Sequence, residues 1–427
     1  MNDAVQHREG VEIADGVHWV GALDPDLRTF DICLHTDHGT TYNSYTVRGR
    51  DGVAVIDTVK ASHADEFFAR LESVADYDEI RAIVLDHLEP DHSGALPELM
   101  RRAPQARLYL SPRALGLLNA VLKPADGDPP PSVETVDTGD SLSLGDRTLR
   151  FLHTPFLHWP DTQCTYLAED GVLFSGDIFG SHYCDGRLFD DRVGAFDPEF
   201  DDYYRQIMRP FRRPLIAALE LMEPLDLTVI APTHGPVLRD RPRRYLARYR
   251  QLAERPRIGA DSDGAGPSLV ILYASAYGAT ARMAEAIAAG ASDQAGVRVT
   301  HHDLSDNEPA ALVDLIDGAD GLVIGSPTFN GDAVKPVWDL LSSLNTLELA
   351  GKIGAAFGSY GWSGEAVRLI EERLRALKLR VPVAGVRVKL VPCDTELVAC
   401  RAFGHRLAEA LTGTTDTGRV IELEELG

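Results

Sequence analysis

The apolar positions in the first half of the chain fall in short runs separated by turn residues. Eight segments carry the apolar or alternating pattern of β-strands and are bounded mainly by Gly, Pro, Asn or Asp. They are "GVHWVGAL", "NSYTVRG", "GVAVIDT", "RAIVLDH", "ARLYLSP", "RTLRFLHTP", "GVLFSGD" and "LTVIAPTH". Helical patterns such as "HADEFFARLESV" come between some of them. Several strands in succession followed by a helix predict stacked sheets with helices outside.

The second half alternates strand and helix patterns regularly. In chain order these are "SLVILYAS", "TARMAEAIAAGA", "VRVTHHDL", "EPAALVDLI", "GLVIGSPT", "VKPVWDLLSSL", "IGAAFGSYG", "GEAVRLIEERLRAL", "VRVKLVP" and "ELVACRAFGHRLAEAL". Such alternation is typical of a parallel sheet wrapped by helices.

A Gly-, Asp- and Ser-rich stretch, "RPRIGADSDGAGPS", separates the two halves. It follows an arginine-rich helical pattern and precedes a new apolar run, "LVILYAS". A chain of 427 residues also exceeds the usual size of a single hydrophobic core. We therefore predict a first domain over residues 1–256, a linker over 257–267 and a second domain over 268–427.

The formal net charge of -23 narrows the classes of partner. Nucleic acids and anionic membrane surfaces attract basic proteins, so neither is expected. The amino-terminal residues lack the apolar core of a signal peptide, and no apolar run approaches the length of a membrane span. We expect a cytoplasmic protein whose partners are small molecules or other proteins.

The five cysteines are scattered and form no Cys-x-x-Cys pair. This distribution fits a reducing compartment. It argues against a thiolate zinc site and against an appended rubredoxin-type iron site, because both need paired cysteines.

Candidate metal ligands follow four of the predicted strands. The stretch "VLDHLEPDHSG" places two histidines and three carboxylates directly after an apolar run. The candidates at the four strand ends are His87, Glu89, Asp91 and His92, then His153 and His158, then Asp177, and finally His234. Strand ends of one sheet open onto one edge, so these side chains are predicted to converge. A lone histidine there is usually structural, whereas this many ligands predict a metal site.

Imidazole and carboxylate ligands without thiolate suit iron, manganese or zinc. With one of His153 and His158, the set contains four histidines and three carboxylates. It divides into two metal ions, each held by two imidazoles and carboxylate oxygens, with one carboxylate bridging. Two histidines and a carboxylate with open positions are typical of non-haem iron that meets oxygen. The chemistry alone leaves open which of the two histidines is the ligand.

The turn after "LVILYA" has the composition of a phosphate-binding loop. Its candidate residues are Ser275, Ala276, Tyr277, Gly278, Ala279 and Thr280. Successive backbone N–H groups and a helix N-terminus attract a monophosphate there. The loop has neither a Gly-x-Gly-x-x-Gly nor a Walker sequence, which argues against a dinucleotide or a triphosphate. A helix cap without a ligand is the alternative interpretation.

Two further loops follow apolar strands of the same predicted sheet. Their candidates are Pro327, Thr328, Phe329 and Asn330 in "GSPTFNGD", and Ser359, Tyr360, Gly361 and Trp362 in "GSYGWSGE". Loops at the carboxyl ends of strands in an open α/β sheet converge on one ligand. Aromatic residues flanked by glycines in a loop are poor core material and offer flat faces to a planar ring.

The motif "HLEPDH" resembles the His-x-Glu-x-Asp-His motif of the metallo-β-lactamase-like domain of flavodiiron proteins, also called A-type flavoproteins. "TPFLHWPDT", "LFSGDIFG" and "PTHGPVLR" are similar to the remaining ligand segments of that family. The resemblance implies one iron on His87, Glu89 and His158, a second on Asp91, His92 and His234, and Asp177 as the bridge. Zinc hydrolases of the same fold usually carry histidine where this chain has Glu89, so Glu89 favours a di-iron site.

The three loops of the second half resemble the phosphate- and ring-binding loops of flavodoxin. "SYGWSGEA" is especially close to the flavodoxin domain of flavodiiron proteins. The resemblance covers nearly the whole chain in the domain order of the family. It implies an α/β fold with an N-terminal metallo-β-lactamase-like αββα sandwich and a C-terminal flavodoxin-like doubly wound parallel sheet. The implied cofactors are FMN and two iron ions.

The sequence departs from the family pattern at few positions. Asp31 stands where many relatives have a histidine near the substrate pocket, which bears on gas preference. Ala274 and Ala276 stand where relatives often have larger or polar residues, and this matters less because the backbone mainly holds the phosphate. His182, just beyond Asp177 in "DIFGSHY", is a candidate for lining the pocket or supporting a ligand.

The resemblance implies an oxidoreductase that reduces molecular oxygen to water, nitric oxide to nitrous oxide, or both, with FMN feeding the di-iron site. It also implies a separate electron donor, either rubredoxin-like or a flavin reductase, and a head-to-tail homodimer or homotetramer. A zinc-dependent hydrolase with a flavodoxin-like electron-transfer appendage is the alternative. A third hypothesis is an electron carrier with a vestigial first domain, which the complete ligand set opposes.

Overall fold

A computed structural model describes residues 9–32, 34–124, 130–254, 266–307 and 309–413 of the chain. The chain divides into two compact units, Met1–Glu254 and Arg255–Gly427. Most of the predicted linker, residues 257–267, lies outside the described residues, so the linker stays a prediction. Within the described ranges, no helix is both long and apolar enough to cross a membrane.

The first unit contains two main β-sheets. Its strands are β1 (Val11–Ala14), β2 (Val17–Trp19), β3 (Ala22–Asp24), β4 (Thr29–Phe30), β5 (Leu34–His35), β6 (Thr40–Tyr42), β7 (Tyr45–Gly49), β8 (Gly52–Ile56), β9 (Ile80–Leu85), β10 (Arg107–Leu110), β11 (Val133–Thr135), β12 (Ser141–Ser143), β13 (Thr148–His153), β14 (Gln163–Leu167), β15 (Val172–Gly176) and β16 (Val229–Pro232). In the described part of the chain, one sheet has the order β1-β2-β7-β8-β9-β10-β11 and the other has the order β12-β13-β14-β15-β16. Strands β3 and β6, and β4 and β5, form two small antiparallel pairs.

Helices cover the outer faces of this pair of sheets. They are α1 (Ala64–Val74), α2 (Pro90–Ser93), α3 (Leu96–Arg102), α4 (Pro112–Leu122), α5 (Asp197–Tyr203), α6 (Arg212–Met222) and α7 (Arg243–Ala253). A π-helical turn, Tyr204–Met208, follows α5, and short 3-10 turns span Ala61–His63, Tyr77–Glu79 and Arg209–Phe211.

Alternating side chains along the strands build the layers of the core. In β8, Val53 and Val55 pack with helices α1, α3 and α4, whereas Ala54 and Ile56 pack into the cluster between the two sheets. The outer face of the second sheet packs with α5, α6 and α7. This period of two is the pattern of a strand with two different faces. The predicted αββα sandwich is confirmed.

Strand β14 was missed by the sequence prediction, although it is central in the second sheet. All five of its residues are buried, and three of the five are Gln163, Cys164 and Thr165. The Gln163 side-chain amide donates to the Leu85 carbonyl at 3.1 Å, and the Thr165 hydroxyl donates to Asp86 Oδ1 at 2.8 Å. Polar residues tolerate burial when the fold supplies such partners, and periodicity cannot show those partners in advance.

The second unit contains a parallel main sheet and a short antiparallel pair, Thr328–Phe329 with Asp332–Ala333. Its strands are β17 (Ser268–Tyr273), β18 (Arg298–Asp303), β19 (Gly321–Gly325), β20 (Thr328–Phe329), β21 (Asp332–Ala333), β22 (Ile353–Tyr360) and β23 (Val386–Lys389). Its helices are α8 (Ala279–Ser292), α9 (Pro309–Gly318), α10 (Lys335–Ser343), α11 (Thr346–Leu349), α12 (Ala366–Ala376) and α13 (Asp394–Thr412). Where the chain is described, the main sheet has the order β18-β17-β19-β22-β23, and each neighbouring pair is parallel.

Both faces of this sheet are covered, which explains the continuous apolar run of β17. Val270 and Leu272 pack on one side, and Leu269 and Ile271 pack on the other. The strand order changes direction at β17, so a crevice is expected at the carboxyl ends of β17 and β19. The predicted doubly wound parallel sheet is confirmed.

Candidate metal centre and flavin pocket

The candidate metal ligands lie at one edge of the sandwich, where strands of both sheets end. His87 follows β9 of the first sheet, whereas Asp177 and His234 follow β15 and β16 of the second. His158 lies in the loop between β13 and β14, and helix α2 carries the second half of "HLEPDH". The structure brings together His87, Glu89, Asp91, His92, His158, Asp177 and His234.

The first ligand group comprises His87, Glu89 and His158 and faces one oxygen of Asp177. Asp177 Oδ2 lies 3.4 Å from His87 Nε2 and 3.2 Å from His158 Nε2. Glu89 Oε2 lies 3.6 Å from His87 Nε2 and 3.1 Å from His158 Nε2. Two imidazole nitrogens and two carboxylate oxygens therefore face one another across a short gap.

The second ligand group comprises Asp91, His92 and His234 and faces the other oxygen of Asp177. Asp177 Oδ1 lies 3.3 Å from His92 Nε2 and 3.8 Å from His234 Nε2. Asp91 Oδ2 lies 3.2 Å from Nε2 of each of these two histidines. The two groups have the same composition, and Asp177 joins them.

Several buried ligand atoms of the cluster make no hydrogen bond of normal geometry with the protein. The side chains of His87 and His92 are fully buried, and that of Asp91 is 9% exposed. In the described structure, Nε2 of both histidines and both carboxylate oxygens of Asp91 lack a hydrogen-bond partner of normal geometry. Buried polar atoms are normally satisfied in native proteins. These atoms therefore mark positions where a further group is expected to bind.

Charge pairing governs protonation in the cluster. Burial lowers the pKa of His92, but the carboxylates of Asp91 and Asp177 outweigh it and raise that pKa to about 10. Burial likewise lowers the pKa of His158, but Asp177 and Glu89 outweigh it and raise that pKa to about 9. A metal ion must displace these protons because only unprotonated imidazole is a ligand, so metal binding is expected to release protons.

Residues outside the two ligand groups fix the orientation of their ligands. The Thr233 hydroxyl donates to Asp177 Oδ1 at 2.5 Å. The ring Nδ1–H of His234 donates to the Thr41 carbonyl at 2.6 Å, so Nε2, which lies 3.2 Å from Asp91 Oδ2, is the nitrogen directed at the cluster. Supporting contacts of this kind set the tautomer and the direction of a metal ligand.

The backbone of the "HLEPDH" loop is also held by hydrogen bonds. The Leu88 N–H donates to Asp161 Oδ2 at 2.9 Å, and the Thr58 hydroxyl donates to the His92 carbonyl at 2.7 Å. The Gln163 N–H donates to the carbonyl of Asp86 at 2.8 Å, which ties the loop to the second sheet. Ligands from two sheets are thus held on rigid elements, which favours a defined metal geometry.

His153, the alternative to His158, lies apart from the cluster. Its Nδ1 lies 3.3 Å from Asp137 Oδ1, and the Asp137 side chain is 63% exposed. Among the described residues, His153 belongs to none of the candidate metal groups. Of the two histidines, His158 is the one that lies in the cluster.

The two candidates for pocket positions, His182 and Asp31, both lie near the cluster. The His182 ring centroid is 5.5 Å from that of His234, and its Nδ1 is 3.0 Å from the Thr40 hydroxyl. Burial, and then the charge of His234, lower the pKa of His182 to about 3, so its imidazole is neutral. Burial and the Glu89 carboxylate raise the pKa of Asp31.

The flavin candidates surround a pocket of about 440 Å³ at the carboxyl ends of β17, β19 and β22. The predicted residues that line it are Ser275, Ala276, Tyr277, Ala279, Thr280, Pro327, Thr328, Phe329, Asn330, Ser359, Tyr360, Gly361 and Trp362. Gly278 is outside this lining and forms the N-cap of α8 with a φ of 81°, a conformation that favours glycine.

Hydroxyl groups connect the loops around the pocket. The Thr280 and Ser359 hydroxyl oxygens are 3.0 Å apart, which joins the first and third loops. The Ala281 N–H donates to Ser275 Oγ at 3.2 Å at the start of α8. Tyr277 and Trp362 are 91% and 94% exposed, so the pocket has an aromatic rim.

The sequence analysis missed Gly331, Ser363, Leu390 and Val391, which also line the pocket. Leu390 and Val391 directly follow β23, and both are largely exposed. They lie at the end of "VRVKLVP", which was predicted as a strand of the same sheet, but two aliphatic residues there carry no further signal of a pocket.

Comparison with known proteins identifies the family of the chain. Residues 40–235 match the family described as ODP family beta lactamase, and residues 271–404 match flavodoxin. The type A flavoprotein fprA of Rhodobacter capsulatus is 59% identical over 403 residues, which cover 94% of this chain and 92% of that protein. The chain belongs to the type A flavoprotein, or flavodiiron, family. The predicted family is confirmed.

This flavodiiron protein has further relatives of similar extent. It is 35% identical over 405 residues to the nitric oxide reductase of Moorella thermoacetica, covering 93% of this chain and 98% of that protein. The structure of rubredoxin oxygen:oxidoreductase from Desulfovibrio gigas matches with a TM-score of 0.71 and 31% identity, and the match covers 95% of this chain and 99% of that chain. The structure of the flavodiiron protein of Giardia intestinalis matches with a TM-score of 0.68 and 28% identity, and the match covers 95% of this chain and 97% of that chain.

Proposed function

We propose that this flavodiiron protein reduces molecular oxygen to water, nitric oxide to nitrous oxide, or both, with two iron ions in the cluster and FMN in the pocket. The observation that carries the proposal is the pair of ligand groups that share the two oxygens of Asp177. The relatives support both substrates, since one is named nitric oxide reductase and another rubredoxin oxygen:oxidoreductase.

The donor set fits iron. By the distances between their ligand atoms, each ligand group offers two imidazoles, one carboxylate of its own and one oxygen of Asp177, without a thiolate. Nε2 of the buried His87 and of the buried His92 makes no hydrogen bond of normal geometry, and metal ions would satisfy these positions. Two irons and a two-electron flavin together store four electrons, which is the number that reduction of oxygen to water requires.

The chain itself supplies position and an apolar enclosure. Thr233 and the Thr41 carbonyl direct Asp177 and His234 toward the metal positions. Tyr203 is buried, and its ring centroid lies 6.0 Å from that of His234. Such aromatic walls exclude water and strengthen the electrostatic interactions inside a site.

The second unit fits FMN. We assign the phosphate to the loop at the start of α8, where the first N–H groups of the helix lack intrahelical partners. The hydroxyls of Ser275 and Thr280 lie in the same loop and line the pocket. The aromatic rim, with Tyr277 and Trp362, is assigned to the flat flavin ring.

The electrons are proposed to come from a separate protein, rubredoxin-like or a flavin reductase. The name of the Desulfovibrio gigas relative points to a rubredoxin-like donor. We also propose a head-to-tail homodimer or homotetramer. Sedimentation of the purified protein tests the assembly, and a monomer at micromolar concentration would refute it.

The central test is anaerobic photoreduction followed by electrode traces of oxygen and nitric oxide on the same sample. Stoichiometric consumption of at least one gas is the expected result, and the ratio of the two rates gives the preference. Metal analysis of the same sample separates this proposal from hydrolysis. Protein that contains zinc without iron and has full esterase activity would overturn the proposal.

Replacing His158 by Ala is expected to remove the metal ion of the first ligand group, because it deletes one of the two imidazoles there. Metal content should fall from two ions to about one per chain, since a lost ligand costs more than the roughly 10- to 100-fold effect of a supporting residue. His153→Ala is the matched control, because His153 pairs with the exposed Asp137 instead. Equal metal content in both variants would contradict the assignment.

Replacing Thr233 by Val is expected to weaken metal affinity while the fold is kept. The substitution preserves shape but deletes the hydroxyl that donates to Asp177, and such supporting contacts are worth about 10- to 100-fold. Competition with a chelator measures the change. Thr228→Val, at the other end of β16, deletes hydroxyl bonds to Asp170 and Gly171 and should leave metal affinity unchanged.

A further inference from the structure

The hairpin of β4 and β5 is anchored against the second ligand group. Phe30, at the end of β4, is 5% exposed. Its ring centroid lies 4.2 Å from that of His182 and 5.2 Å from that of His234. Asp31 and Ile32 directly follow this anchor and are exposed at the tip of the hairpin. The position of the tip is therefore fixed by contact with a candidate metal ligand.

The backbone of the tip is strained. Asp31 has a φ of 46° and Ile32 has a φ of 58°. Positive φ is uncommon outside glycine and is an outlier for a β-branched residue such as Ile. Strain of this kind persists where the surrounding structure holds it, and it collects at functional sites.

Asp31 interacts electrostatically with both ligand groups. Its partners are Glu89 and His158 of the first group, and Asp91 and His234 of the second. Asp31 directly follows Phe30, whose ring centroid lies 5.2 Å from that of His234, so the chain holds the Asp31 carboxylate beside the cluster.

Two histidines of the cluster lie away from solvent. His87 and His92 are fully buried, and the buried Asp57 interacts with both of them. Asp31 is exposed, so it lies on the side that solvent reaches. A ligand that approaches the cluster from this exposed side meets the charge of Asp31.

We propose that Asp31 is a specificity-determining residue whose carboxylate disfavours anionic ligands at the metal pair and thereby favours neutral diatomic gases. This inference rests on the proposed function. Two ferrous ions in the cluster would supply positive charge that attracts small anions. The Asp31 carboxylate offsets that charge at the entrance, whereas a neutral gas is unaffected by it.

The test is a titration of inorganic azide into the iron-loaded protein, followed by absorbance and compared between wild type and Asp31→Asn. The variant is expected to bind azide about five- to tenfold more tightly at low ionic strength, because one unit charge close to the binding position is removed. The difference should shrink at high salt, since the side chain is solvent-exposed and screened. Asp31→Glu should restore the affinity of the wild type.

The matched control is Asp37→Asn. Asp37 lies on the same segment, is 77% exposed and pairs with His35 at 2.9 Å, so its removal changes the net charge of the protein equally. Its azide affinity should equal that of the wild type. Metal content is measured first in every variant. Full iron with equal azide affinity in Asp31→Asn overturns this inference alone, whereas wild-type protein that cannot hold iron overturns the proposed function and this inference with it.

Discussion

Replacing Asp177 by Asn is expected to remove both metal ions while FMN stays bound. The two oxygens of Asp177 face the two ligand groups separately, each at 3.2 to 3.8 Å from imidazole nitrogens. An amide preserves the size of the side chain but replaces one oxygen by an NH₂ group that has no lone pair for a metal. Residues that only support a ligand are worth about 10- to 100-fold in affinity, and the loss at a bridging ligand should exceed that range.

Metal and flavin content per chain, measured after anaerobic reconstitution with ferrous iron, check this result. Asp137→Asn is the control, because it also alters a carboxylate beside a histidine of the first unit but lies away from the cluster. Circular dichroism should show the same secondary structure in both variants. Two irons per chain in Asp177→Asn would refute the bridging role.

The ligands were predicted to converge as strand ends of one sheet, but β9 lies in the first sheet and β15 and β16 lie in the second. His87, Asp177 and His234 each follow the carboxyl end of a buried strand, and those strands end at one edge of the sandwich. The apolar runs of these strands are strong signals, since they are buried on both faces. Sequence pattern therefore indicated which strand ends carry the candidate ligands, and the packing of the two sheets brings those ends together.

Loop geometry and tertiary hydrogen bonds could not be predicted in the same way. His153 and His158 are chemically equal, and only the path of the loop after β13 places one by Asp137 and the other by Glu89. Asp86, which directly precedes His87, accepts a hydrogen bond from Thr165 on β14. Since β14 itself was missed, nothing local to the sequence could show where that carboxylate finds its partner.

The candidate flavin pocket shows a different limit of prediction from sequence. Its loops were predicted because each follows an apolar strand and contains glycine or aromatic residues that fit a core poorly. Leu390 and Val391 have no such signature, since two aliphatic residues at a strand end resemble ordinary core. They contribute to the pocket only because β23 is the neighbour of β22 in the sheet. The polar and aromatic residues of the pocket could be predicted from composition, whereas the aliphatic residues could be placed there only from the strand order.

Replacing Trp362 by Ala is expected to weaken FMN binding while metal content stays unchanged. Trp362 lines the pocket and is 94% exposed, so its substitution removes ring contact without opening the hydrophobic core. Stacking of a planar base on an aromatic side chain is worth about 1–3 kcal/mol, which corresponds to roughly a 5- to 150-fold loss of affinity. Trp362→Phe keeps a flat face and should retain most of the affinity.

Quenching of FMN fluorescence on titration into apoprotein measures these affinities. Val398→Ala is the matched control, because Val398 is a large apolar residue, 67% exposed, on α13 of the same unit and does not line the pocket. Its affinity for FMN should equal that of the wild type. If Trp362→Ala bound FMN as tightly as Val398→Ala, the flavin ring would not lie against this part of the rim. The stacking surface would then have to be assigned to Tyr277 or Tyr360, which face the same pocket.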